Sequence, residues 1–359
     1  MRLPEHGANP HHVYEKLGLT TPDRLIDLSE NCNPAGPPFS VLKAWHELVH
    51  DIQMYPDPNG EPFITAASDY HELPKSYLFA GNGAAELLAL MAERYRGKRA
   101  VLVHPTFSEY ERTLLAKDVS ITHIVASETN GFQLPVGKII DAMQEADVLY
   151  LCTPNNPTGI MPSRDELLQV IRYGEKVNCD IVLDEAFIDF VDELLSFIPE
   201  IVHYPHVIVV RSMTKMYAIP GLRLGYVAAD PSIIQEIRTV VPHWNINGLA
   251  AKIGAICFQE DEYRQTAMRH ADNERQKLKK QLNDLGFIFT DSVTNYVAFT
   301  TGSVERTTKL YTDLLTRGII LRHSKNFRGM DGRWLRVGVK NEADMQVFME
   351  ELSKWKAEN

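Results

Sequence analysis

Apolar and polar positions follow two different regimes along this chain. From about residue 80 to 230, short aliphatic runs recur between helical stretches. They are RAVLVHP (99–105), ADVLYLCTP (146–154), DIVLDEAF (180–187), HVIVVRS (206–212) and RLGYVAA (223–229). Runs this apolar predict strands buried on both faces, hence a mostly parallel sheet covered by helices. AAELLALMAERY (84–95) carries a strong helical pattern between them.

The pattern changes after about residue 240. A long charged helix is expected over roughly 259–285, with a stripe at Leu278, Leu282 and Leu285 that ends at Gly286. Strand-like NYVAFTT (295–301), GIILRHS (318–324) and RWLRVGV (333–339) follow. A last helix over 341–356 places Met345, Phe348, Met349 and Leu352 on one face. The basic run from Arg275 to Lys280 reads as a solvated helix face. Residues 1–40, rich in Pro, Asn, Gly and His, read as an irregular arm. The expected division is an N-terminal segment 1–40, a large domain 41–240 and a small α+β domain 241–359.

Composition narrows the function classes. A net charge of -10 disfavours a general nucleic-acid binder and an anionic membrane surface, while leaving room for a local basic pocket. Cys32, Cys152, Cys179 and Cys257 are scattered with no C-x-x-C pair, so no zinc site or disulfide framework is expected, in keeping with a reducing compartment. No apolar run of about 18 residues is present. The first residues lack the apolar core of a signal peptide. A cytoplasmic protein is expected.

In open α/β sheets, ligands sit at the carboxyl ends of the strands, and here those ends are unusually polar. The strand at 146–154 ends in TPNNPTG, and the next ends in LDEAF, with Asp184 inside an apolar run where a lone carboxylate is costly. HVIVV is followed by Ser212, Thr214 and Lys215, with Arg223 close behind. Two hydroxyls and a guanidinium make a phosphate cradle. Upstream, Gly83 and Ala84 open the strong helix, whose N-terminus offers free N–H groups to an anion. No G-x-x-x-x-G-K-[ST] loop is present, and no G-x-G-x-x-G follows a strand, which disfavours nucleotide cofactors. Pyridoxal 5′-phosphate uses all these parts together. Lys215 supplies an amine for its aldehyde, Asp184 an acid for its ring nitrogen and Asn156 a partner for its phenolic oxygen. Gly83, Ala84, Ser212, Thr214 and Arg223 supply the phosphate cradle, and Phe107 an aromatic face for the ring.

PNNPTG, DEAFIDF, SMTKMYAIPGLRLG and the late LRVGV, in this order from about residue 80 to 340, resemble the fold-type I pyridoxal-phosphate enzymes of the aminotransferase class. Within that class the sequence is similar to two families, the histidinol-phosphate aminotransferases and the threonine-phosphate decarboxylases of cobalamin biosynthesis. HGAN (6–9) and LSENCNPAGPP (28–38) resemble the decarboxylase pattern, with Ala8 where that pattern has a glycine. Phe187 stands where the aminotransferases usually carry a tyrosine that bonds the cofactor's phenolic oxygen, and the decarboxylase pattern shares the phenylalanine.

The resemblance implies a fold-type I transferase fold, a large pyridoxal-phosphate domain plus the smaller α+β domain. It implies decarboxylation of L-threonine O-3-phosphate to (R)-1-amino-2-propanol O-2-phosphate, with Lys215 and Asp184 catalytic. Histidinol-phosphate transamination and serine-phosphate decarboxylation remain alternatives. By the same resemblance His6, Gly7, Asn31, Asn156, Arg322 and Arg336 hold the substrate, and residues 1–40 contribute to its site and to the small domain. Tyr55, in MYPDP, reaches the cofactor phosphate of a second subunit, which implies a homodimer.

Overall fold

The apolar runs of the first two-thirds of the chain pair into one seven-stranded sheet. The computed structural model describes residue 7 and residues 9–359. Across the sheet the order is Leu78–Gly81, Gly225–Ala228, Val207–Ser212, Asp180–Asp184, Val148–Cys152, Arg99–His104 and Ser120–Val125. The last five pair in parallel, and Gly225–Ala228 runs antiparallel to both its neighbours. Cys152 lies opposite Asp184, Asp184 opposite Val210, and Ser212 opposite Gly225. The polar ends of three consecutive strands are thereby brought level.

Alternation along Val207–Ser212 shows why those runs are apolar throughout. Val207 and Val209 pack into one core cluster, with Phe63, Val170 and Ile253 from the helices Phe63–His71, Arg164–Val177 and Gly248–Cys257. Ile208 and Val210 pack into another, with Leu88, Leu114 and Ile234 from Ala84–Arg94, Ser108–Leu115 and Pro231–Val240. A strand covered on both faces has no polar side to show. Each such side chain contributes roughly 1.5–3 kcal/mol on burial.

The remainder of the chain forms a four-stranded antiparallel sheet ordered Arg322–His323, Trp334–Gly338, Tyr296–Thr300 and Ile288–Phe289. Helices Asp261–Asp284, Val304–Thr316 and Glu342–Glu358 bury Leu278, Leu282, Leu310, Met345, Phe348 and Leu352 against it.

Three expectations need correction. The arm is not irregular throughout. Asn9 accepts from the His12 amide, Pro10 occupies the first turn and Gly18 closes the helix Pro10–Leu17 in a left-handed conformation. Val13 and Tyr14 pack into the second core, and Tyr14 Oη donates to Leu315 O at 2.7 Å. The expected strand 318–324 is split. Ile319–Ile320 pairs in parallel with Ile26–Asp27 of the arm, while Arg322–His323 joins the antiparallel sheet. Arg275 is not solvated. It is buried and donates to Thr294 O at 2.9 Å.

Candidate active site

The carboxyl ends of the central strands open into a cavity of about 260 Å³, closed on its far side by the arm and the antiparallel sheet. Lys215, Asp184, Asn156 and Phe107 line it. So do Ala84, Ser212, Thr214 and Arg223. Gly7, Asn31, Arg322 and Arg336 enter from the other side. Two expected residues do not line it. Gly83 sits behind Ala84, and Tyr55 is 82% exposed with its ring 4.9 Å from that of Trp244. His6 lies outside the described residues, as does Ala8.

Local sequence builds the cradle. Gly83 has φ +81° and no side chain to cap the helix Ala84–Arg94, so the first-turn amides stay open toward the cavity. A methyl on Gly83 would lie 2.9 Å from the Arg223 guanidinium. One on Gly225 would lie 3.0 Å from the Ala84 amide nitrogen. The two glycines let the helix end, the strand end and the guanidinium converge. Ser212 Oγ and Thr214 Oγ1 are 2.8 Å apart at the same place. Arg223 donates to Pro220 O and has no carboxylate partner among the described residues. Converging hydroxyls, open amides and a guanidinium fit a phosphate monoester.

Asp184 is buried and held by two hydrogen bonds. Tyr110 Oη donates to its Oδ2 at 2.5 Å, and the Ala186 amide donates to Oδ1 at 3.0 Å. Burial pushes its carboxyl above the usual range, and the Tyr110 bond, the Ala186 amide and the Lys215 charge pull the other way. A protonated ring nitrogen beside it would add the opposite charge that a buried carboxylate needs. Burial lowers the Lys215 amine below the ordinary lysine value, reinforced by Arg336 and Arg223 and opposed by Cys32 and Asp184. A depressed lysine is the more reactive nucleophile toward an aldehyde. The residues present fit pyridoxal phosphate.

Two guanidiniums dominate the opposite wall. Arg336 donates to Ser29 O at 2.8 Å and to Asn156 Oδ1, and its Nε finds no partner among the described residues. Arg322 donates to His323 O and to Asn326 Oδ1. Burial lowers Arg336 to about 10, and burial together with Arg336 lowers Arg322 to about 9. Arg336 Nε, buried and unpartnered among the described residues, is a donor for an anionic group in the cavity. Sequence reasoning missed Tyr110, which looks like one more apolar position of a helix, and Phe327, which lines the cavity from an irregular turn. Tyr110 sits one helical turn after Phe107, and that spacing was the available signal.

Comparison with known proteins agrees with this geometry. Residues 23–352 match the model of the aminotransferase class I and II family. The chain belongs to that family. A curated relative, the threonine-phosphate decarboxylase of Salmonella typhimurium, is 35% identical over 348 residues, 96% of this chain and 94% of that protein. The histidinol-phosphate aminotransferase of Crocosphaera subtropica is 28% identical over 337 residues, covering 93% of each. Among solved structures, the histidinol-phosphate aminotransferase of Clostridium acetobutylicum superposes with a TM-score of 0.88 at 29% identity, over 93% of this chain and 100% of that one. The expected fold-type I architecture is borne out by these likenesses.

Proposed function

We propose that this family member removes the carboxylate of L-threonine O-3-phosphate, with pyridoxal 5′-phosphate as cofactor. The product is (R)-1-amino-2-propanol O-2-phosphate, a building block of cobalamin. The observation that carries the reading is 35% identity to a threonine-phosphate decarboxylase along nearly the whole chain, against 28% to a histidinol-phosphate aminotransferase. Phe187 in the cavity wall supports it, because it removes the hydroxyl usual in the aminotransferase pattern.

In this reading Ser212, Thr214, Arg223 and the amides after Gly83 grip the cofactor's phosphate, and Phe107 covers its ring. Asn156 Oδ1 is taken by Arg336, which leaves its Nδ2 to donate to the phenolic oxygen. Asp184 holds a proton on the ring nitrogen. When bound, the cofactor supplies an electron sink for the pair left at Cα. Lys215 Nζ returns a proton to that carbon once CO2 has gone. Arg322 and Arg336, with Asn31 and Gly7, would hold the substrate's anionic groups and so fix the orientation of its Cα. His6 joins this set by its motif.

A second copy of the chain is the expected partner. Phe39, Leu42 and Trp45 on the helix Phe39–Leu48, and Ile52 and Met54 just after it, are exposed. They lead into Tyr55, which in a dimer would enter the neighbouring site. Among the described residues no helix is long and apolar enough to cross a membrane, and the reading takes the protein to work in the cytoplasm.

Histidinol-phosphate transamination is the second reading, supported by the 29% identity and 0.88 TM-score to a solved aminotransferase of that kind. Incubation with threonine phosphate, serine phosphate or histidinol phosphate, each with and without 2-oxoglutarate, separates them. CO2 release from threonine phosphate alone is expected. Turnover of histidinol phosphate that requires the oxo-acid, with no CO2 from threonine phosphate, would overturn the decarboxylase reading.

A further inference from the structure

A cluster of ligand-type side chains stands beside the cavity and takes no part in the chemistry above. In the parallel pair Arg99–His104 and Ser120–Val125, Leu102 lies opposite His123 and His104 opposite Val125. Residues two apart share a face, so His104 and His123 are diagonal neighbours on one face of the sheet. Their rings meet, with His104 Nε2 2.9 Å from His123 Nδ1. The helix Ser108–Leu115 crosses that face and places Glu111 Oε1 3.8 Å from His123 Nε2. One potential ligand atom from each of the three lies within 4.8 Å of the others.

We propose that His104, His123 and Glu111 bind one divalent transition-metal ion of the zinc class. Two imidazoles and a carboxylate, with water in the fourth position, are a recurring ligand set for such ions. Metal–nitrogen bonds of about 2.0–2.1 Å in a tetrahedron separate ligand atoms by roughly 3.3 Å. His104 Nε2 and His123 Nδ1 stand within a few tenths of an ångström of that separation, and because Glu111 meets the other nitrogen of His123, the carboxylate must move to share the ion. Glu111, whose side chain is about one-third exposed, has the freedom to swing in. A neutral imidazole has one ring nitrogen with a lone pair to offer. The cysteine spacing that predicts no zinc site is blind to this cluster, because its members come from two strands and the helix between them.

The site has a built-in competitor. Arg328 Nη2 is 3.3 Å from Glu111 Oε1, so a cation already meets the carboxylate. Arg328 is about half exposed, and an exposed pair of this kind is worth about 0–1 kcal/mol. A metal ion would take Glu111 from it. Arg328 follows Phe327, which lines the cavity, and Glu111 follows Tyr110, which holds Asp184. The exchange would therefore release a turn of the substrate wall while clamping the helix that carries Tyr110.

The test uses the full-length, cofactor-loaded protein after chelator treatment and dialysis. Zinc is titrated by calorimetry, and cobalt(II) by visible absorption. One equivalent of zinc is expected, with cobalt bands typical of four-coordination. Second-sphere changes alone weaken metal sites by about 10–100-fold. Loss of a ligand in His123→Ala should therefore cost about 100-fold or more and remove the cobalt bands. Glu111→Gln should cost at least about tenfold by the same scale, and Arg328→Ala should bind no more weakly than the wild type. Metal taken up at the exposed His11 and His12 would survive His123→Ala. No zinc binding by the wild type would overturn the proposal. So would affinity left unchanged by both His123→Ala and Glu111→Gln, or weakened by Arg328→Ala.

Discussion

Tyr110 Oη donates to Asp184 Oδ2 at 2.5 Å, inside the protein and one residue short of the helix position that carries Glu111. The bond ties the helix Ser108–Leu115 to the acid end of a neighbouring strand. In the proposed reaction it would act on the ring nitrogen only through Asp184, which makes Tyr110 a positioning residue. A hydrogen bond to a charged group contributes about 1.5–3 kcal/mol. Tyr110→Phe should lower kcat by about 10- to 150-fold, the same range expressed as a rate, with KM moved far less. It should also raise the pH at which Asp184 ionises, seen as a shift of the acid limb of the kcat profile to higher pH. An unmoved limb would reduce Tyr110 to packing.

Arg336 reaches Ser29 and Asn156 and faces the cavity. Arg336→Ala should lower kcat/KM for a phosphorylated substrate by about 10- to 150-fold, from the loss of one charge-assisted contact. Most of the loss should appear in KM. Thermal denaturation of the same variant checks that the fold survives, and unchanged kinetics would remove Arg336 from the substrate site.

Gly159 closes the PNNPTG loop with φ +71°, and a methyl there would lie 1.9 Å from Ser292 Oγ. Gly159→Ala should destabilise the protein by about 2–4 kcal/mol through a left-handed backbone plus overpacking. Urea midpoints measure it. Adding Ser292→Gly should recover part of the loss, because it relieves the clash and leaves the backbone strain.

Glu185 is buried beside Arg211, accepting from Ser196 Oγ and the Phe197 amide. Burial outweighs these partners and raises its carboxyl to about 7. The unfolded chain releases this proton near the ordinary glutamate value of about 4.3. Between those two values the folded state binds more proton than the unfolded one. This group's contribution is therefore full below about 4.3 and is lost as pH rises through about 7. Glu185→Gln, with Arg211 still paired to Asp189 and Glu193, should flatten that part of the stability curve. Urea titrations at pH 5 and pH 8 test it, and equal slopes in both proteins would count against it.

The central sheet was legible wherever a strand is covered on both faces. Ser120–Val125 escaped because its pattern is mixed, as suits an edge strand with one flank open, and the buried Leu78–Gly81 because it runs straight into the glycines of AGNGAAE, which read as a turn before a helix. The helix Pro10–Leu17 carried its signals in Asn9, Pro10 and Gly18, hidden by a composition that reads as a loop. Arg211 was visible as a charge inside an apolar strand, but its partners Asp189 and Glu193 come from short turns without periodicity. The meeting of Lys215, Asp184 and Arg223 in one cavity was readable because charge at the end of a buried strand is expensive without a purpose. Tyr110 and the His104–His123 pair were not, since aromatic and imidazole groups are ordinary core residues until the fold sets them face to face.

Residues 28–33 join parts of the chain that are synthesised far apart. Asn33 N donates to Lys215 O, Gly338 N to Leu28 O, Arg336 to Ser29 O and Asn295 to Asn31 O. This segment meets Lys215 first, Asn295 next, and its last partners only when Arg336 and Gly338 have been made. A nascent chain with a finished central sheet still has one wall of its cavity missing. Closure of that wall therefore waits for the strand Trp334–Gly338, and a chain that stops before it leaves the cavity open to water.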